Sequence, residues 1–202
     1  MLIEQVKAAL IEDIGSGDIT ANLLPLNLNV RATILSRDHC VLCGTEFVNS
    51  VFDQLDSNVV INWFFQDGDV IQSNTVLAEI IGSARAVLTA ERVALNFLQS
   101  LSAVATSTKE YVDAVSQWPT KIFDTRKTLP GWRYAQKYAV RVGGGFNQRM
   151  GLYDAYLIKE NHINALGSIA ACYNQAKKLM VADVIQVEVE NITQLLETLP
   201  LG

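Results

Sequence analysis

"DAYLIKENHINALGSIAACYNQAKKLMVADVIQVEVE", residues 154–190, decides the fold. "DAYLI" (154–158) reads as a short strand, "ALGSIAACYNQAKKLM" (165–180) has helical spacing, and "VIQVEVE" (184–190) alternates like a second strand. Strand and helix alternating at about 30 residues per unit imply parallel strands joined by a crossover. Working outward, "KIFD" (121–124) is an earlier strand and "PGWRYAQKYAVRV" (130–142) a helix opened by Pro130. Downstream, "TQLLETL" (193–199) is the next helix. The expectation is part of a parallel α/β barrel with too few strands to close, so the barrel is incomplete in this chain.

The preceding hundred residues read as mixed α/β. A helix spans 2–13, "GSGDIT" (15–20) offers Asp18 or Thr20 as a turn cap, and strands lie near 30–36, 59–65 and 75–81. "QDGDV" (66–70) is a turn between two of them. Lipoyl and biotinyl carriers use such a hairpin, but their modified lysine is missing from every turn here, which excludes that class. From Ala86 to Val115 the period is helical, with Val87, Ala90, Ala94, Leu98, Leu101 and Ala105 on one apolar face. Arg92, Asn96 and Gln99 form a polar stripe on the same rod. The expected division is an N-terminal α/β sandwich domain over 1–103 and a partial α/β-barrel catalytic domain over 104–202.

A chain of 202 residues that is 50% hydrophobic can bury a real core. Its net charge of −5 argues against non-specific binding to nucleic acid or an anionic membrane. No apolar run approaches the roughly 18 residues of a bilayer span. The N-terminus mixes acids among its apolar residues, unlike a signal peptide, so a cytoplasmic location is expected. Three cysteines suit a reducing compartment, and the lone C-x-x-C of Cys40 and Cys43 reads as buried apolar cysteine rather than half of a zinc site.

Against this acidic background, residues 121–149 carry seven basic residues (Lys121, Arg126, Lys127, Arg133, Lys137, Arg141 and Arg149) and one acid, Asp124. Arg126 and Lys127 follow the first expected strand, Lys159 ends the second, and Glu188 and Glu190 lie at the end of the third. Sites of α/β proteins form at the carboxyl ends of their parallel strands. Two acids two apart on a strand share a face, and turned inward they need cations or a ligand. Arginine forks match carboxylate and phosphate oxygens, so the expected ligand is small and multiply anionic. "GGG" (143–145) offers backbone N–H groups to an anion or simply makes a turn. With two histidines and no H-E-x-x-H, G-x-S-x-G or G-K-[ST] motif, the sequence argues against a histidine triad, a histidine-rich metal site or a P-loop.

"EDIGSGDIT" (12–20), "GTEFV" (44–48), "ERVALNFLQSLS" (91–102), "DTRKTLPGWR" (124–133), "KYAVRVGGGFNQRMGLYD" (137–154), "LIKENH" (157–162) and "VEVEN" (187–191) together resemble the quinolinate phosphoribosyltransferase family of NAD biosynthesis. The resemblance implies phosphoribosyl transfer from phosphoribosyl pyrophosphate to quinolinate, with decarboxylation. It implies Arg126, Arg149 and Lys159 on the quinolinate carboxylates, assisted by Thr125 and Gln148, with Arg92 reaching in from a neighbouring subunit of a homodimer. Lys127 and Glu188 would serve the phosphoribosyl side and the chemistry, with Glu190 as the competing acid. Mg²⁺ is expected to come with phosphoribosyl pyrophosphate, without a set of protein ligands evident in this chain. The family usually reads G-G-G-x-N-H-R, where this chain has Gln148 in place of histidine; glutamine donates a hydrogen bond but carries no charge. The family also continues well beyond residue 202, so C-terminal truncation is expected. A dicarboxylate-binding or assembly fragment and a nicotinate-type transferase remain as alternatives.

Overall fold

The computed structural model describes residues 1–179 and 181–201. The chain divides into two compact units, Met1–Gln148 and Arg149–Gly202. The first begins with α1 (Leu2–Ile14) and a 3₁₀ turn (Ala21–Leu23), where Asp18 rather than Thr20 caps, accepting from the Thr20 and Ala21 N–H groups at 2.9 Å. There follow β1 (Asn29–Ser36), β2 (Cys40–Val41), α2 (Thr45–Leu55), β3 (Val60–Trp63), β4 (Val70–Ile71) and β5 (Thr75–Ser83). Helices α3 (Ala84–Ala114) and α4 (Arg133–Val142) complete the unit's regular structure.

The three strands expected near 30–36, 59–65 and 75–81 form one antiparallel sheet in the order β1-β5-β3. The turn at 66–70 sits between β3 and β5 with Gly68 at φ +99°, and β4 leaves it to pair with β2. The apolar face of α3 is buried at Val87, Ala90, Ala94, Leu98, Leu101 and Ala105, and the helix runs unbroken through residues 103 and 104.

Helix α2 was legible only as a family motif, not as a helix. Gly44 enters it at φ +112°, and the Asp67 carboxylate accepts the Gly44 and Thr45 N–H groups at 2.9 and 3.0 Å. Phe47, Val48, Val51 and Phe52 are then buried, and Phe47 stacks on Phe97 of α3 at 5.1 Å between ring centroids. Trp132 continues the stack on Phe97 at 5.0 Å. The helix expected from Pro130 starts instead at Arg133, because Gly131 turns at φ +75°.

The three glycines after α4 are a packing device. Their N–H groups bond to the Ala139, Arg141 and Val140 carbonyls, so none is left for an anion. A Cβ on Gly143 would lie 2.4 Å from the Ala105 oxygen, so this close approach to α3 requires glycine. Cys43 and Cys172 are buried and Cys40 half-buried, all three as free thiols; burial above all pushes the Cys43 thiol pKa up.

The second unit contains β6 (Tyr156–Ile158), α5 (Glu160–Leu166), α6 (Ile169–Leu179), β7 (Ile185–Val187) and α7 (Ile192–Thr198). The expected parallel pairing is present, with Tyr156 opposite Ile185 and Ile158 opposite Val187. The helix read over 165–180 is instead two helices, because Gly167 turns the chain at φ +87°; Met180 lies outside the described residues. "KIFD" is not a full strand but a single parallel bridge, Phe123 with Phe146, in the first unit. The described strands form no closed barrel.

Candidate active site

The seven cations of 121–149 have different commitments. The Lys121 ammonium lies 4.9 Å from the Phe146 ring centroid, and the Arg141 guanidinium 5.9 Å from that of Tyr138. Arg133 Nε donates to Thr128 Oγ1 at 3.2 Å. Lys137, only 1% exposed, forms an ion pair with the Asp124 carboxylate and donates to the Gln148 carbonyl at 2.9 Å. Arg149 Nη1 donates to the Ala155 carbonyl at 3.1 Å while its Nε is buried without a partner. Among the described residues, the side chains of Arg126 and Lys127 make no hydrogen bond or ion pair, and Arg126 Nε is likewise buried without a partner.

The backbone beneath Arg126 and Lys127 is firmly held. Asp124 N–H donates to the Phe146 carbonyl at 3.0 Å, and Phe146 N–H to Ile122 at 2.8 Å. Beyond Asp124, Lys127 N–H donates to Thr125 Oγ1 at 3.0 Å and Thr128 N–H to the Arg126 carbonyl at 3.0 Å. Thr125 Oγ1 thus accepts a bond within the loop. The bridge between Phe123 and Phe146 sets segments 122–124 and 146–148 side by side, so Thr125, Arg126 and Lys127 leave from one and Gln148 ends the other. Arg92 is exposed on the polar stripe of α3 with no partner among the described residues.

In the second unit, Lys159 and Glu188 meet at 3.4 Å, at the carboxyl ends of β6 and β7. Glu188 N–H extends the ladder by one bond to the Ile158 carbonyl at 2.8 Å. Glu190 does not share that strand: β7 ends at Val187, and Glu190 N–H donates to Gln194 Oε1 at 2.7 Å in the entry to α7. The two acids therefore do not share a strand face, and among the described residues Glu188 is the carboxylate paired with Lys159. Lys159 N–H donates to His162 Nδ1 at 3.0 Å, which leaves the proton of a neutral ring on Nε2. Nearby, the Met150 N–H above all, with that of Gly151 and the Arg149 charge, holds the Asp154 carboxyl below the usual range.

The Asp124–Lys137–Asn147 cluster is not evident from the sequence. Asn147 Nδ2 donates to Asp124 Oδ2 at 2.6 Å and to the Lys137 carbonyl at 2.9 Å, and Gln148 N–H donates to Asp124 Oδ1 at 2.8 Å. Its one available signal was a lone acid in a basic stretch. No three His, Cys, Asp or Glu side chains group as metal ligands among the described residues, and no described helix is long and apolar enough to cross a membrane.

The unpaired arginine and lysine on a braced loop of the first unit, and the lysine–carboxylate pair at the strand ends of the second, are each chemistry that suits an anionic oxygen. Comparison with known proteins narrows the class. Residues 18–102 match the quinolinate phosphoribosyl transferase N-terminal domain, and residues 104–202 its C-terminal domain. A probable nicotinate-nucleotide pyrophosphorylase [carboxylating] of Bacillus subtilis (strain 168) is 42% identical over 95% of this chain and 67% of its own length. The chloroplastic nicotinate-nucleotide pyrophosphorylase of Arabidopsis thaliana is 37% identical, over 95% of this chain but 55% of the relative. The solved nicotinate-nucleotide pyrophosphorylase of Francisella tularensis superposes with a TM-score of 0.95 at 48% identity, covering 99% of this chain and 71% of that one. The chain belongs to the quinolinate phosphoribosyltransferase family.

Proposed function

We propose that the chain transfers the phosphoribosyl group of phosphoribosyl pyrophosphate to quinolinate with loss of CO₂, giving nicotinate mononucleotide and pyrophosphate. One observation carries the reading: Arg126 and Lys127 stand adjacent and unpaired on a braced loop, with Arg126 Nε buried and unmatched. A shielded N–H without a partner is costly until an anionic oxygen meets it. The family's substrates are a pyridine dicarboxylate and a phosphorylated sugar, which supply such oxygens.

In this reading Arg126, Arg149 and Lys159 hold the quinolinate carboxylates, with Thr125 and Gln148 beside them. The Thr125 hydroxyl, which accepts the Lys127 N–H, keeps its own proton for donation. Lys127 and Glu188 attend the phosphoribosyl group, and Arg92 reaches the site of a second copy in a homodimer. The quinolinate nitrogen attacks the ribose C1 as the bond to pyrophosphate breaks, and pyrophosphate leaves with the electron pair. The bond from the ring to the 2-carboxylate then breaks, CO₂ departs, and the pair left on the ring carbon takes a proton. The quaternised nitrogen and the surrounding cations stabilise that charge. Mg²⁺ would arrive on the pyrophosphate oxygens, as a hard cation does, and the proposed setting is the cytoplasm. The proposed partition keeps 1–103 as the N-terminal domain and 104–202 as the catalytic part.

The test is release of labelled CO₂ and of pyrophosphate, dependent on quinolinate, phosphoribosyl pyrophosphate and Mg²⁺ together. Release is the expected result. Calorimetric binding of quinolinate without turnover would replace the proposal with a binding fragment, and turnover of nicotinate instead would replace the substrate.

A further inference from the structure

Asp124 and Lys137 are not among the groups assigned above to ligand contact. Both are nearly removed from water, at 7% and 1% side-chain exposure. Charges are expensive to bury, and an apolar pair of similar volume is often as stable or more so. The return on this pair is found in what its bonds connect. Asp124 Oδ1 accepts the Gln148 N–H at 2.8 Å, and Lys137 Nζ donates to the Gln148 carbonyl at 2.9 Å. Asn147 Nδ2 bridges Asp124 Oδ2 and the Lys137 carbonyl. The cluster thus grips segment 146–148 on both sides and fixes the residue from which Thr125, Arg126 and Lys127 follow.

We infer that the buried Asp124–Lys137 pair, with Asn147, is a positioning device for the anion site. It fixes the backbone that carries Thr125, Arg126, Lys127 and Gln148, and it keeps Arg126 available. A carboxylate two residues before an arginine would otherwise compete for the guanidinium. Here the Lys137 ammonium and the Asn147 amide occupy it, and Arg126 stays unpaired for a ligand. Binding then needs little reorganisation, and reorganisation is a cost that preorganised sites avoid. The identity of the ligand rests on the proposed function; the bracing does not.

The experiment replaces the pair by apolar residues, Asp124→Leu with Lys137→Met, in the full chain. Amide hydrogen exchange is read without ligand, and quinolinate binding by calorimetry. The expected result is exchange at 125–128 and 146–148 faster by about tenfold or more, with residues 87–105 of α3 unchanged, and quinolinate binding weaker by about tenfold. In that background Arg126→Ala should cost little further, because both changes act on one contact. Unchanged exchange at 125–128 and 146–148 would overturn the inference, as would full additivity with Arg126→Ala. If the replaced protein does not fold, Asn147→Ala serves instead: local exchange should still rise, and exchange identical to the unaltered protein would overturn the inference. Failure of the unaltered protein to bind quinolinate would sink the proposed function alone, since the exchange measurement still decides the bracing.

Discussion

Two lysine–carboxylate pairs, Lys137 with Asp124 in the first compact unit and Lys159 with Glu188 in the second, differ in setting. In the first unit Lys137 and Asp124 are sealed from water at 1% and 7% exposure, and neighbouring amides complete their hydrogen bonds. In the second, Lys159 and Glu188 stand 3.4 Å apart at 47% and 59% exposure. A sealed pair cannot trade partners cheaply, because each charge left alone stays buried. An open pair is weak, screened and readily exchanged for a ligand oxygen. Residue type alone therefore does not identify a ligand-binding lysine. The sealed lysine is committed to its own backbone, and the open one is accessible to a ligand.

The largest effect should come from breaking the sealed pair on one side. Lys137→Ala leaves the Asp124 carboxylate buried against neutral donors and should cost about 3–5 kcal/mol of stability, read from urea unfolding. A loss below about 1 kcal/mol, the range of exposed pairs, would erase the contrast between the two pairs.

Arg126→Ala comes next, and its loss should appear in binding rather than in stability. Removing a charge-assisted carboxylate contact should weaken quinolinate by about 1.5–3 kcal/mol, with phosphoribosyl pyrophosphate affected far less and the unfolding midpoint unmoved. Equal losses for both ligands would make Arg126 part of the scaffold, like Lys137.

The open pair should show the opposite profile to the sealed one. Glu188→Gln and Lys159→Met should each shift stability by no more than about 1 kcal/mol, the range of exposed ion pairs. Both should still abolish most of the CO₂ release. A stability loss comparable to that of Lys137→Ala would mean that the pair at the strand ends is structural.

These differences also explain what the sequence could and could not reveal. Periodicity located the buried face of α3 and the β1-β5-β3 strands because burial repeats with backbone geometry. The parallel pairing of β6 with β7 followed from strand–helix alternation. "KIFD" and "VIQVEVE" were read too long because apolar alternation does not reveal where a ladder ends: one is a bridge at Phe123, and the other stops at Val187. Gly131 and Gly167 break helices that composition alone would continue. At the site, the sequence marked Arg126 and Lys127, but Lys137 in the same basic stretch looked equivalent. Its partner lies 13 residues away, a pairing that only the fold of 122–148 creates.

The smallest effect concerns how the second unit holds its own arginine loop. Asp124 works from burial, whereas Asp154 does a similar task in the open, accepting the Met150 N–H at 2.6 Å and the Gly151 N–H at 3.3 Å. Those bonds favour the charged form, so the Asp154 pKa lies below its ordinary 3.8, the Met150 N–H being the largest cause. The sign follows from linkage. A carboxyl depressed in the folded state gives its stabilisation in full above the unfolded pKa and loses it as pH falls through the folded value. Loop 149–155 should therefore stay ordered at neutral pH and loosen only in acid. The Met150 amide resonance should move together with the Asp154 carboxyl carbon, at a midpoint below 3.8. Asp154→Ala should loosen the same amides at neutral pH while α6 keeps its protection. A Met150 amide that ignores the Asp154 titration would show that the loop is held by the Arg149 bond to the Ala155 carbonyl instead.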